Sequence, residues 1–189
     1  MMGRFFRLGL LGAFILQTAL LAWLIVDRAL LIKNGKEIRL AVVPVDPRDL
    51  LRGDYVILSY PISRLMSDEI EGEDWLNYEQ TAYVSLAETP DGWKATAINA
   101  VPPASGMFLK GVVESSYEQQ ACKVKAPCNE IRVAYNLEQF FVPEGQGRDL
   151  ETLRNDQSMS VDVAVADNGR AALKRLLVDG DVRYEESLY

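Results

Sequence analysis

The sequence contains no histidine and only two cysteines among its 189 residues. Without histidine there is no Ser-His-Asp or Cys-His catalysis and no histidine-bound metal. The cysteines stand in "CKVKAPC", as Cys122 and Cys128. Five intervening residues fit neither the C-x-x-C of redox proteins nor the usual zinc spacings. They suit a small loop, bridged by a disulfide in an oxidising compartment or left as two thiols in a reducing one. A phosphate loop is also missing, since Gly145 and Gly147 form a G-x-G without the rest of the fingerprint. No cofactor and no metal are expected.

Basic charge is scarce as well. The chain holds 20 basic and 27 acidic residues, and residues 1–33 contribute Arg4, Arg7, Arg28 and Lys33 against Asp27 alone. Residues 34–189 are thus left with 16 basic and 26 acidic residues, a net charge of −10. Such a surface repels nucleic acid at long range, so nucleic-acid binding is not expected.

What the chain does have is one long apolar run. "LGLLGAFILQTALLAWLIV", Leu8 to Val26, carries no charge, and Gln17 and Thr18 are its clearly polar members. As a helix at about 1.5 Å per residue it covers about 28 Å, close to the thickness of a hydrocarbon core. A cleaved signal peptide is the rival reading, with Arg4 and Arg7 as its positive end. The run is long for that role, and no A-x-A-like site follows it. Residues 1–33 are therefore expected to be a short cytoplasmic tail and an uncleaved anchor, which after Asp27-Arg28 continues into the headgroups. Charge counting does not orient it, because Arg28, Lys33, Lys36 and Arg39 oppose Arg4 and Arg7. In a bacterium the expected arrangement is a single-pass inner-membrane protein with residues 34–189 in the periplasm.

Those residues read as mainly β. "KEIRLAVV" sets Ile38, Leu40 and Val42 against Arg39, Ala41 and Val43, the period of a half-buried strand. Hairpins are expected over 82–100 across Pro90-Asp91-Gly92, and over 161–178 across the type I′ signal Asn168-Gly169, with a further turn at Asp179-Gly180. Strands over 107–118 and 129–137 flank the cysteine loop. Short helical pieces are expected within 46–53 and near 148–155, and 63–75 reads as a short helix or a loop. The carboxylates Asp68, Glu69, Glu71, Glu73 and Asp74 lack the calcium-loop pattern and read as a solvated segment. The whole is an antiparallel sandwich or small barrel with one or two short helices, plus the N-terminal transmembrane helix.

The densest local signal is "PVDPRDLLRGDYVILSY", residues 44–60. Within it Gly53-Asp54-Tyr55-Val56-Ile57-Leu58-Ser59-Tyr60 satisfies G-D-Y-x-x-L-x-Y at each fixed position. With "FFVPEGQGRDLE" (140–151) and "VDVAVADNGRAALKRLLVDG" (161–180), the chain resembles the GDYXXLXY-motif family along essentially its whole length. The resemblance implies a membrane-anchored bacterial protein, with polytopic membrane proteins as its partners. It implies an address rather than an activity.

Read physically, the motif places Leu58 and Tyr60 on one strand face, expected to be the core face. Gly53 supplies backbone freedom, and Asp54 is placed to accept amides of the preceding turn or to pair with Arg48 or Arg52. A corner held by such a network is the structural reading. The functional reading exposes Arg48, Asp49, Arg52, Asp54 and Tyr55 to a partner. Phe140 and Phe141, before Pro143, mark a second contact. "GDYV" is similar to a box of the membrane-anchored signal peptidases, but those need an upstream serine and a lysine base. No lysine lies between Lys36 and Lys94. The expectation is a non-catalytic accessory subunit of a larger membrane assembly. The alternatives are a small-molecule or lipid carrier with Phe108, Phe140, Phe141, Trp75 and Trp93 lining a pocket, or an anchored hydrolase using Asp46, Asp49 or Asp54.

Overall fold

A computed structural model describes residues 2–43, 55–90, 92–120, 122–124, 126–141 and 158–186. The apolar run belongs to a longer helix, α1 (Met2–Asn34), of 33 residues. At about 1.5 Å per residue this is about 50 Å, well beyond the ~30 Å of a hydrocarbon core. The excess has a structural use. From Phe6 to Val26 the side chains are exposed, whereas Leu31 and Ile32 in the last turns are buried against Ala172, with Ala166 beside it. The helix continues past Asp27-Arg28 as expected, and its last turns bury apolar surface against the β domain.

Twelve strands follow among the described residues: β1 (Lys36–Ala41), β2 (Tyr55–Ile57), β3 (Arg64–Met66), β4 (Glu71–Gly72), β5 (Thr81–Thr89) and β6 (Gly92–Asn99). Then come β7 (Met107–Gln119), β8 (Cys128–Ala134), β9 (Gln139–Phe141), β10 (Met159–Val165), β11 (Ala171–Val178) and β12 (Asp181–Glu185). One sheet has the order β1-β10-β11-β12, another β3-β8-β7-β5-β6-β4, and β2 pairs with β9 as a separate ribbon. All pairings are antiparallel except that of β4 with β6. Ile38, Leu40, Val161 and Leu176 of the first sheet share a core with Val84, Leu109, Ile131 and Val133 of the second. Among the described residues these are two open sheets packed on one core, the arrangement of a sandwich.

The expected strand periods hold. Ile38 and Leu40 are buried while Arg39 and Ala41 are exposed, and Ala82, Val84 and Leu86 alternate inward on β5. Both long hairpins form, as do the strands flanking the cysteine loop. The turn chemistry differs from expectation at one place. A type I′ turn needs positive φ at both central residues. Asp179 (φ 53°) and Gly180 (φ 90°) meet that requirement and join β11 to β12 directly. At the earlier turn Gly169 alone is positive (φ 81°), and its amide donates to the Ala166 carbonyl in a longer loop. A Cβ on Gly169 would also lie 2.7 Å from the Phe108 ring, so the position needs glycine for space as well as for its φ.

Residues 63–75 form no α-helix. A single 3₁₀ turn, Pro61–Ser63, is followed by β3, a turn and β4. The helical pieces expected within 46–53 and near 148–155 lie outside the described residues.

Candidate functional site

The second half of the octapeptide is described in detail, and its fixed residues have structural tasks. Leu58 and Tyr60 are buried at 1% and 2% exposure, whereas Ile57 between the pleats is 45% exposed. The Tyr60 hydroxyl donates to the Leu137 carbonyl at 2.6 Å. In return the Tyr135 hydroxyl donates to the Ile62 carbonyl at 2.6 Å. Each tyrosine thus reaches the backbone two residues beyond the other, and the two bonds clamp 60–62 to 135–137.

Glu138 completes this clamp. Its carboxylate accepts the amides of Tyr135 (2.7 Å) and Leu137 (2.9 Å), folding the turn around Asn136 at φ 61°. Its carbonyl accepts the Leu58 amide at 2.8 Å. Burial, with the Glu138 charge as a second cause, pushes both phenols above their ordinary range. Both therefore stay protonated donors well into alkaline solution.

The clamp carries the chain into the β2–β9 ribbon, where Tyr55 faces Phe141, Val56 faces Phe140 and Ile57 faces Gln139. Sequence reasoning treated the motif and the phenylalanine pair as two contacts. The backbone places the two stretches side by side as one ribbon. Of the expected contact residues, Arg48, Asp49, Arg52, Gly53 and Asp54 lie outside the described residues. So do the side chains of Tyr55, Phe140 and Phe141. Beside the ribbon Val43 bridges to Ser59 and is itself 42% exposed, which sets a second exposed aliphatic near Ile57.

A second constellation joins the helix to the domain. Arg170, from the β10–β11 turn, forms a bidentate ion pair with Asp27, at 2.7 and 2.9 Å. Arg28 lies 3.6 Å from Glu186. The Gly35 amide donates to the Leu31 carbonyl, and β1 begins at the next residue. A Cβ on Gly35 would sit 2.7 Å from the Leu31 carbonyl oxygen and 2.9 Å from the Val165 amide, so only glycine allows this approach. The expected linker Lys33-Asn34-Gly35 is thus a tight joint.

The remaining charge clusters are architectural. Asp162, 2% exposed, is gripped by Arg39 at 2.8 Å and Arg175 at 2.9 Å on the outer face of the first sheet. Glu130 on the other sheet accepts from the Tyr117 hydroxyl (2.5 Å) and Arg132 (3.0 Å), with Arg64 at 3.0 Å. Burial alone would raise the Glu130 carboxyl, yet these partners together hold it below its ordinary range. Cys122 and Cys128 are disulfide-bonded. Asp68 accepts the Val124 amide at 2.8 Å and Glu69 pairs with Lys123 at 2.9 Å, so two carboxylates of the acidic segment tether the cysteine loop. Of the aromatics considered for a pocket, Phe108 packs edge-on to Tyr83, Trp93 lies under the Lys36 ammonium, and Trp75 is 51% exposed.

Sequence reasoning did not find Tyr135, Leu137, Glu138 or the Asp27–Arg170 pair. Apart from the Glu138 carboxylate, which bonds amides of its own turn, their partners lie tens to more than a hundred residues away.

Fold and site together define a β-sandwich domain continuous with an apolar helix that is long enough to cross a membrane. The sequence model of the GDYXXLXY protein family matches residues 17–176, from within α1 to near the end of β11. The chain belongs to that family. Comparison with curated proteins and with solved structures finds no match.

Proposed function

We propose that this chain is a single-pass protein of the bacterial inner membrane, whose periplasmic β domain serves as a non-catalytic accessory subunit of a polytopic membrane protein. The observation that carries this reading is the joint without a linker. A flexible tether suits a domain that must search for its substrate. Here Gly35 and the Asp27–Arg170 pair hold the sandwich at one orientation beside the helix. That suits a domain presenting one fixed surface to a neighbour in the same membrane, met at high effective concentration. The disulfide fits an oxidising compartment.

The contact surface in this reading is the β2–β9 ribbon with Ile57 and Val43, and the charged motif residues Arg48, Asp49, Arg52 and Asp54 are assigned to it from the sequence alone. Gly12 and Ala13, or Ala19 and Ala22, offer small faces on α1 to a partner helix. The test is affinity purification of the full-length protein in mild detergent, with mass spectrometry of co-purifying chains. A stoichiometric polytopic partner is expected, with recovery lowered by Ile57→Glu at unchanged unfolding midpoint. A monomer that stays alone in several mild detergents would overturn the subunit reading.

A further inference from the structure

A cleft of about 600 Å³ opens between the upper turns of α1 and the β domain, lined by Asp27, Arg28, Leu31, Lys110, Glu138 and Arg170 among others. Its depth along the helix is informative. Asp27 is the first charged residue after the 19 uncharged residues Leu8 to Val26. If α1 is an anchor, on which this inference rests, the cleft lies at the level of the lipid headgroups. Three and four residues below Asp27 on the same helix face stand Leu24 and Trp23, both exposed, an apolar track with an indole at the interface.

The charges in the cleft fall into pairs with a remainder. Arg170 is neutralised by Asp27 and Arg28 by Glu186. The Lys110 ammonium is exposed and has no ionic partner among the described residues. The Glu138 carboxylate accepts two amides and keeps lone-pair sites to spare. Among the described residues one cation and one carboxylate thus remain, beside the apolar Leu31 and the 44%-exposed Val112.

We propose that this cleft binds the headgroup of a zwitterionic phospholipid, with the phosphate at Lys110, a primary ammonium at Glu138, and the acyl chains along Trp23 and Leu24. The volume suits one small ligand rather than a second helix. The match of one cation and one anion selects a headgroup carrying both.

The test is native mass spectrometry of the full-length protein, released from micelles holding equal amounts of ethanolamine-, choline- and glycerol-headed phospholipids. Preferential retention of one ethanolamine lipid is expected. Lys110→Glu should retain about tenfold less, the loss of one charge-assisted phosphate contact. Because Lys110 is exposed, the variant should unfold at the wild-type midpoint. Equal retention of all three lipids, or by wild type and variant, overturns the proposal. So does displacement by free phosphoethanolamine at the lipid's own concentration, which would make this a soluble-phosphate site. A photo-crosslinker at position 110 that captures a protein instead of lipid in native membranes overturns it too. Release of the wild-type chain from membranes by alkaline carbonate would sink the anchor itself, a separate failure.

Discussion

The clamp between the motif and the 135–138 turn uses two buried hydroxyls, two buried carbonyls and a leucine with almost no exposure. The joint between α1 and the sandwich uses ion pairs whose side chains are 35% to 47% exposed, above a small apolar contact. Both connect distant parts of the chain, but the physics differs. A buried hydrogen bond that loses one partner leaves an unsatisfied polar group, whereas an exposed ion pair is replaced by water with little loss. The clamp is therefore a determinant of folding, and the joint is a determinant of orientation.

The largest effect should come from Leu58→Ala. Emptying this buried site should cost about 3–5 kcal/mol in urea unfolding of the full-length protein, and a loss under about 1 kcal/mol would show the core not to depend on the motif. Tyr60→Phe keeps the ring but strands the Leu137 carbonyl, at about 1–3 kcal/mol. Tyr135→Phe should behave alike. The double variant should lose less than the sum, because the two bonds share one turn. Strict additivity would mean that the two bonds do not act as one clamp.

Alkaline titration sharpens the contrast. The phenols of Tyr60 and Tyr135 are raised in the folded protein, chiefly by burial, while in the unfolded chain they titrate near pH 10. Below about pH 10 both states keep the protons, and the contribution is fully present. Above it the unfolded state alone releases them, so stability falls with rising pH, by up to about 1.4 kcal/mol per unit per tyrosine. The double phenylalanine variant should show a shallower decline between pH 10 and 12. An identical slope would mean that these phenols ionise in the folded state.

The smallest effect on stability belongs to the joint. Asp27→Asn should leave the unfolding midpoint unchanged and increase the rotational freedom of the domain relative to α1, read by spin labels on each side. High salt should loosen the wild type in the same way. A lowered midpoint without added mobility would reverse the roles assigned to clamp and joint.

Several elements were legible from local pattern. The period of two placed Ile38 and Leu40 inward, and the hairpins followed their glycine turns. Leu58 and Tyr60 could be assigned to the core because alternation puts them on one face. Other features were not local. Asn168-Gly169 carries the residues of a type I′ turn, but Gly169 alone has positive φ and the turn is a longer loop closed by its amide on the Ala166 carbonyl. The stretches expected as two separate contacts came to lie in one ribbon only because β9 pairs with β2.

By itself the sequence determined the apolar helix, the β character of residues 34–189, the motif and the acidic surface, because each is set by composition or by a short repeat. Tertiary structure alone decided that Tyr60 and Tyr135 clamp one another. It also decided that Leu31 and Ile32 bury against Ala172 rather than against lipid, and that Asp27 meets Arg170. These pairings join residues far apart in the chain. Their energy depends on distance and burial, which only the packed chain defines.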